Sequence, residues 1–220
     1  RNPATPVFIL DALSKDTAKY VRECVANNPS TPVSVLEALA QDTEESVRKS
    51  VAKHPSTPVT VLDALAKDKG SDVRICVAQH PQTSPDALKK LATDKVAEVL
   101  LGVVRHPNTP LSALLPLVKA KSANVRRALA SHAHRSEEIC HILSKDTHAD
   151  LRRAVIRNEE LASFVLDELA KNAATEVDCT ELLANPNLSA QSAQLLADKL
   201  LKTPAVDSPW YQHELSKAKA

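Results

Sequence analysis

The sequence has very few aromatic residues and glycines, and it has no methionine. Aromatics make up 2% of its 220 residues, and there are only 2 glycines. Leucine, valine and alanine must therefore fill the core, and a glycine-rich phosphate-binding loop is excluded. No apolar run approaches the roughly 18 residues that cross a membrane, so we expect no membrane segment. No segment alternates apolar and polar residues as a strand does, which favours an all-α protein.

The sequence does contain a repeat of 26 residues, whose clearest copy is NPSTPVSVLEALAQDTEESVRKSVAK (residues 28–53). A fixed period of this length is typical of a solenoid. We predict one repeat array over residues 1–198 and a C-terminal segment over residues 199–220, with Trp210, that caps the last repeat. The repeats begin near residues 2, 28, 54, 80, 106, 132, 158 and 185.

Each repeat predicts two helices. Thr31 followed by Pro32 is a helix-start signal, because the hydroxyl can cap a free N–H and proline is tolerated at the first helical position. Leucines at a spacing of three then indicate a first helix of about ten residues. Valines at a spacing of four indicate a shorter second helix, either α or 3-10. Neither helix can bury its apolar stripe alone, so about seven repeats must stack into an α-solenoid.

The repeat also resembles a known family. The segments VRKSVAKHPSTPVTVLDALAKD (residues 47–68) and VRECVANNPSTPVSVLEALAQD (residues 21–42) resemble the leucine-rich repeat variant family, whose units carry VRxxVAxNPxTPxxxLxxLAxD. The match is good over residues 2–157 and loose over residues 158–198, and HEAT-type helical repeats look like more distant relatives. The resemblance implies a right-handed superhelix of short α and 3-10 helices, and no common catalytic activity.

The four cysteines do not resemble the iron–sulfur module that can precede the repeats in that family, so we expect no metal and no cofactor. Cys24 and Cys76 share one repeat position but lie two repeats apart, at roughly 10 Å per layer, which is too far for a disulfide. Free thiols indicate a cytoplasmic setting. The chain begins at Arg1 in the middle of a repeat and has no methionine, so we expect residues to precede it.

Two rows of polar residues follow the repeat. Most arginines of the first row stand six residues after an aspartate, which favours an internal Asp–Arg ladder, although a row of phosphate-binding guanidinium groups is the alternative. Arg126 follows Ala120 instead, so we expect Arg126 to be freer to bind a partner. The second row, which includes His54 and His132, is interpreted as capping or turn hydrogen bonding, because stacked equivalents are too far apart to share a metal. A denser cluster matches no metal motif: His132, His134, Cys140, His141 and His148.

On the exposed face of the second helices, packing between repeats does not determine the residue type. Apolar residues interrupt this face at Ile75 and Leu101. Leu101 is predicted to form an exposed apolar contact patch together with Leu100, at the arginine position of its repeat, Leu115 and Pro116, with local repacking as the alternative. Basic residues form the other candidate site on this face: Arg105, Arg126, Arg127, Arg153 and Arg157.

Charge is unevenly distributed. Residues 105–157 carry a net charge of +6, from 10 Lys and Arg against 4 Asp and Glu, while the whole chain carries +1. No nucleophile–base arrangement or metal motif indicates an enzyme. We predict a non-catalytic scaffold that binds a protein or peptide along the exposed face of its second helices. The alternative is nucleic-acid or polyanion binding through the basic strip at 105–157, which holds no aromatic residue for base stacking.

Overall fold

The computed structural model describes residues 2–131, 136–157, 163–173 and 176–201, and over these residues the chain is helical without a strand. Some candidate positions lie outside the described residues: His132, His134, Arg135, Asn158 and the segment from residue 202 onward, with Trp210. The first helices of the repeats are α1 (Val7–Leu13), α3 (Val33–Leu39), α5 (Val59–Leu65), α7 (Pro85–Leu91), α9 (Leu111–Leu114), α11 (Glu137–Leu143), α13 (Ser163–Asn172) and α15 (Ala190–Leu201). The second helices are α2 (Lys19–Ala26), α4 (Glu45–Lys53), α6 (Ser71–Gln79), α8 (Ala97–Arg105), α10 (Ala123–Ala130), α12 (Ala149–Ile156) and α14 (Glu176–Leu183).

The helices belong to two compact units, residues 1–117 and 118–220. In the first unit the second helices α2, α4, α6 and α8 pack each on the next, and the first helices α5, α7 and α9 do the same. In the second unit α10, α12 and α14 stack, and so do α11, α13 and α15. Each unit is a stack of two-helix repeats, which confirms the predicted all-α solenoid class.

The core consists of the leucine and valine stripes of the two helices. Leu36, Leu62, Val47 and Val73 are completely buried. The first repeat shows that this burial comes from the neighbouring repeat. Leu13 is 37% exposed, whereas Leu39 at the same position one repeat later is 3% exposed. Contacts between adjacent repeats therefore form the core, as expected for a repeat protein.

The first helices α1, α3 and α5 have seven residues, fewer than the ten predicted, because proline is the N-cap and not the first helical residue and because each helix ends two residues earlier than expected. The first helices α13 and α15 have 10 and 12 residues. Pro32 precedes the seven-residue helix α3, and Pro58 precedes α5 in the same way. The second helices are α-helical and have eight or nine residues. In the fifth repeat Pro116 cannot donate a backbone hydrogen bond, so α9 ends at Leu114 and a 3-10 helix continues over Leu115–Lys119.

The repeat threonines do not cap the first helices, and this part of the prediction was wrong. The hydroxyl of Thr31 donates to the carbonyl oxygen of Val25 at 2.6 Å, and that of Thr109 donates to Val103 at 2.6 Å. Each buried threonine thus satisfies a free carbonyl group near the end of the preceding second helix. A side-chain N-cap appears in α7, where the proline is displaced by one residue and Ser84 accepts from the N–H of Ala87.

Candidate functional site

Arginine side chains at one repeat position join neighbouring repeats. Nε of Arg48 donates to Oδ2 of Asp68 at 2.6 Å and Nη2 donates to Oδ1 at 2.9 Å, while Nη1 donates to the backbone carbonyl of Asp42 at 2.7 Å. The same bidentate pairing is made by Arg22 with Asp42, Arg74 with Asp94, and Arg126 with Asp146. The predicted internal ladder is confirmed, but the partner was wrong. The carboxylate comes from the aspartate 20 residues later, and the residue six positions earlier contributes its carbonyl group.

Arg126 is therefore not freer than the other arginines. Its side chain is buried and pairs with Asp146, and its Nη1 donates to the carbonyl of Ala120 at 2.6 Å. The guanidinium lowers the pKa of the Asp146 carboxyl far below its usual range, chiefly through their hydrogen bonds. In the sequence, Ala120 stands 20 residues after Leu100, so the fourth repeat has lost its arginine together with the matching aspartate. That joint loss was the available signal for the true pairing.

The asparagine and histidine row forms a second ladder. Nε2 of His54 donates to the carbonyl oxygen of Asn28 at 2.9 Å, and Nδ1 of His54 accepts from the N–H of Ser56 at 3.1 Å. His80 and His106 make the same two contacts, and Asn28 makes them with its amide group. The predicted turn hydrogen bonding is confirmed, with the imidazoles neutral. Within the described part of the chain, no group of three His, Cys, Asp or Glu side chains is arranged to hold a metal ion.

Two of the candidate residues, Leu101 and Arg105, line a groove of about 340 Å³ between α6 and α8. This α6/α8 groove is also lined by Ala78, Glu98 and Gly102. Gly102 is required by the close approach of the helices, because a Cβ atom there would lie 2.7 Å from Cβ of Ala78. The candidates Ile75, Leu100 and Leu115 do not line this groove. All three are half-buried, as is Leu101, and the exposed Pro116 also lies outside the groove, so Leu101 is the residue of the expected patch that lines it.

The exposed face of the second helices carries ion pairs between successive repeats. Nζ of Lys49 lies 2.5 Å from Oδ2 of Asp72, and Nη2 of Arg127 lies 3.6 Å from Oδ2 of Asp150. In both pairs the acid stands 23 residues after the base. The equivalent positions in the third and fourth repeats hold Ile75 and Glu98. The apolar residue has thus replaced the cation, and Glu98 makes no ion pair among the described residues.

Three residues of the basic strip lie together in the second unit. Arg127, Arg153 and Arg157 line a depression of about 300 Å³ with Asp150. Their charges are largely balanced, because Arg153 lies 3.2 Å from Asp150 and Nε of Arg157 donates to Glu181 at 2.7 Å. Arg105, in the first unit, has no carboxylate partner in the described part of the chain. The strip is therefore less available to a polyanion than its sequence charge indicates.

Among solved structures, the chain is similar to a leucine-rich repeat variant protein that is described as having a novel repetitive structural motif. The TM-score is 0.71 at 22% sequence identity, and the match covers 96% of this chain and 81% of that chain. This chain has the leucine-rich repeat variant fold. The sequence matches no protein-family model and no curated protein. An engineered protein of known structure covers 96% of this chain and 93% of its own at 17% identity, but the TM-score is only 0.36.

Leu101 and Gly102 depart from the repeat. Glu98 keeps the acidic residue of its position but lacks the basic partner that the equivalent Asp72 has in Lys49. These departures are properties of this chain, and they distinguish the α6/α8 groove from the rest of the surface. No helix in the described ranges is both long enough and apolar enough to cross a membrane.

Proposed function

We propose that this protein is a non-catalytic cytoplasmic scaffold that binds a protein or peptide on the exposed face of its second helices, centred on the α6/α8 groove. The observation that carries the proposal is the concave, partly apolar groove at Leu101, flanked by a carboxylate and a guanidinium that have no ion-pair partner among the described residues. Convergent polar groups around an apolar depression are the usual composition of a binding site.

Stacking of the repeats does not require this composition. At the position of Leu101 the second and fifth repeats carry Lys49 and Arg127, which make ion pairs on the surface. An apolar side chain at a solvent-facing position gains free energy only when a partner covers it. Ile75, Leu100 and Leu115 lie outside the groove and are proposed as secondary contact residues. Arg126 is not included, because its guanidinium is already paired with Asp146.

The proposal is tested by selecting short peptides from a random display library against the wild-type protein and measuring their binding to the variant Leu101→Glu. Leu111→Glu is the matched control, because Leu111 is an exposed leucine in the first helix α9 of the same unit. We expect selected peptides to bind the wild type and the Leu111→Glu variant and to lose about tenfold in affinity for Leu101→Glu, since a charge then replaces an apolar contact. Selected peptides that bind all three proteins equally would remove the groove as the site.

The second candidate function is polyanion binding through the basic strip, favoured by the common depression that Arg127, Arg153 and Arg157 line. The ion pairs with Asp150 and Glu181 argue against it, because a phosphate would have to displace carboxylates that are already in place. Protein or peptide binding is therefore the function that the geometry supports better.

A further inference from the structure

The charges of the α6/α8 groove are arranged along one side of α8. Four residues of this helix line the groove on three successive turns: Glu98, then Leu101 with Gly102, then Arg105. Seven residues separate the carboxylate from the guanidinium, which corresponds to about 10 Å along the helix axis at 1.5 Å per residue. The groove thus has an acidic end, a basic end and an apolar centre.

Both charges are available to a partner. Glu98 and Arg105 are exposed, and neither takes part in an ion pair or a side-chain hydrogen bond in the described residues. Glu98 is unpaired because of Ile75. One repeat earlier, the position of Ile75 is occupied by Lys49, and Lys49 pairs with Asp72. An exposed charge that is not paired within its own protein can pair with a partner at little desolvation cost.

Leu101 forms the apolar centre of the groove. The equivalent positions of Gly102 in other second helices hold Ser50, Cys76, Ala128 and Ala154. Because Gly102 has no side chain, Ala78 packs directly against α8, and the groove beside this contact exposes part of Leu101, on which one apolar side chain of a partner can pack. Shape and charge together define the ligand more closely than either does alone.

We infer that the groove binds a helical segment of a partner protein in which one apolar side chain lies between a basic and an acidic residue two helical turns apart. This inference rests on the proposed function and adds the chemistry of the partner. A helix fits because its rise per residue equals that of α8, so a base can face Glu98 and an acid can face Arg105 while the apolar residue packs on Leu101. Either direction of the partner helix satisfies this arrangement.

The test uses synthetic alanine-rich helical peptides of about 18 residues, long enough to form a helix. Each carries one leucine between two charged residues at a spacing of seven, and the three peptides have the charges Lys and Glu, Lys and Lys, or Glu and Glu. We expect the wild type to bind the mixed peptide at least about threefold more tightly than the other two at low ionic strength, and this preference should decrease at high salt. Binding is measured by fluorescence anisotropy.

Charge-reversal variants make the expectation specific. Glu98→Arg should bind the Glu and Glu peptide best, and Arg105→Glu should bind the Lys and Lys peptide best. The matched control is Lys53→Glu, which makes the same charge change at the position equivalent to Arg105 in the second repeat, and its preference should remain that of the wild type. Circular dichroism of each variant checks that the fold is retained.

The outcomes separate this inference from the proposed function. If Leu101→Glu abolishes binding but all three peptides bind the wild type equally, the inferred pairing of partner charges with Glu98 and Arg105 is wrong and the groove remains a binding site. If Leu101→Glu leaves every affinity unchanged, both the proposed function and this inference are wrong. If none of the helical peptides binds the wild type while library peptides do, the helical ligand is wrong. Preferences that reverse in Glu98→Arg and Arg105→Glu, and persist in Lys53→Glu, support the inference.

Discussion

At the scale of single residues, buried polar side chains connect the repeats as regularly as the apolar core does. Arg48 and His54 each bond to a residue of a neighbouring repeat, and the hydroxyl of Thr57 donates to the carbonyl of Val51 in the second helix of the preceding repeat. A buried polar group without a partner destabilises the folded state, so each of these bonds restricts the position of the adjacent repeat. The rows that could be mistaken for binding sites therefore have a structural role.

The first prediction concerns the arginine ladder. The substitution Arg48→Leu leaves the buried carboxylate of Asp68 without its guanidinium, so we expect a loss of about 3 kcal/mol in the free energy of unfolding. The double variant Arg48→Leu with Asp68→Ala reproduces the combination that the chain already has at Leu100 and Ala120. It should recover more than half of that loss, because no charge is left buried. Urea unfolding followed by circular dichroism measures the wild type, Arg48→Leu, Asp68→Ala and the double variant, and a double variant as unstable as the sum of both single variants contradicts the explanation.

The second prediction concerns the histidine ladder. Burial lowers the pKa of His80, and the other titratable groups that act on it are His54 and His106, which also disfavour its charge. Because the folded-state pKa lies below the unfolded value, the unfolded chain binds more protons in the interval between them. The contribution of His80 to the free energy of unfolding is then fully present above about pH 6.5. It falls as the pH drops through that interval, by at most about 1.4 kcal/mol per pH unit.

Asparagine provides the control for the histidine ladder, since Asn28 makes the same two hydrogen bonds without titrating. The variant His80→Asn should lose less stability than the wild type between pH 7.5 and pH 5. The measurement is the urea midpoint as a function of pH. Parallel curves for the two proteins would show that His80 does not cause the acid sensitivity.

At the scale of helices, the close approach of α6 and α8 depends on the absence of a side chain at Gly102. The third prediction is that Gly102→Ala destabilises the protein by about 1 kcal/mol, because the overpacking of the new Cβ against Ala78 exceeds the gain in helix propensity. Adding Ala78→Gly should relieve the contact. Thermal unfolding measures both.

Gly70 is the matched control for this helix contact. A Cβ atom there would meet the flexible end of the Glu45 side chain, which can move aside. Gly70→Ala should therefore leave the melting temperature unchanged or raise it slightly. If Gly102→Ala and Gly70→Ala behave alike, close packing of α6 and α8 does not explain the glycine.

At the scale of the whole molecule, uneven charge distribution is the most evident feature of the sequence, and the structure reduces its importance. The fourth prediction is that neither duplex DNA nor single-stranded RNA gives a gel shift at about 0.15 M salt, because Arg126, Arg153 and Arg157 are engaged with carboxylates. A shift that weakens steeply with salt and disappears in the variant Arg127→Ala with Arg153→Ala would establish the polyanion function instead.

Particular elements show how far the sequence could be interpreted. The spacing of Leu36 and Leu39 and of Val47 and Val51 correctly predicted two helices per repeat, because helical periodicity is a local property. The position of Thr31 before Pro32 predicted a cap on the wrong helix, since the hydroxyl can bond to any carbonyl group within reach and local sequence does not select one. The pairing of Arg48 was wrong for the same reason, because stacking brings Asp68 closer than the carboxylate of Asp42.

The sequence by itself determined the repeat, the helices, the apolar stripes and the positions at which the repeat is interrupted. These follow from periodicity and from the chemistry of each side chain. Only the tertiary structure decided which aspartate each arginine binds, that Arg126 is occupied, and that Leu101 and Arg105 share a groove while Leu100 and Leu115 lie outside it. The physical reason is that stacking sets the distances between side chains of different repeats, and the burial of each charge depends on those distances.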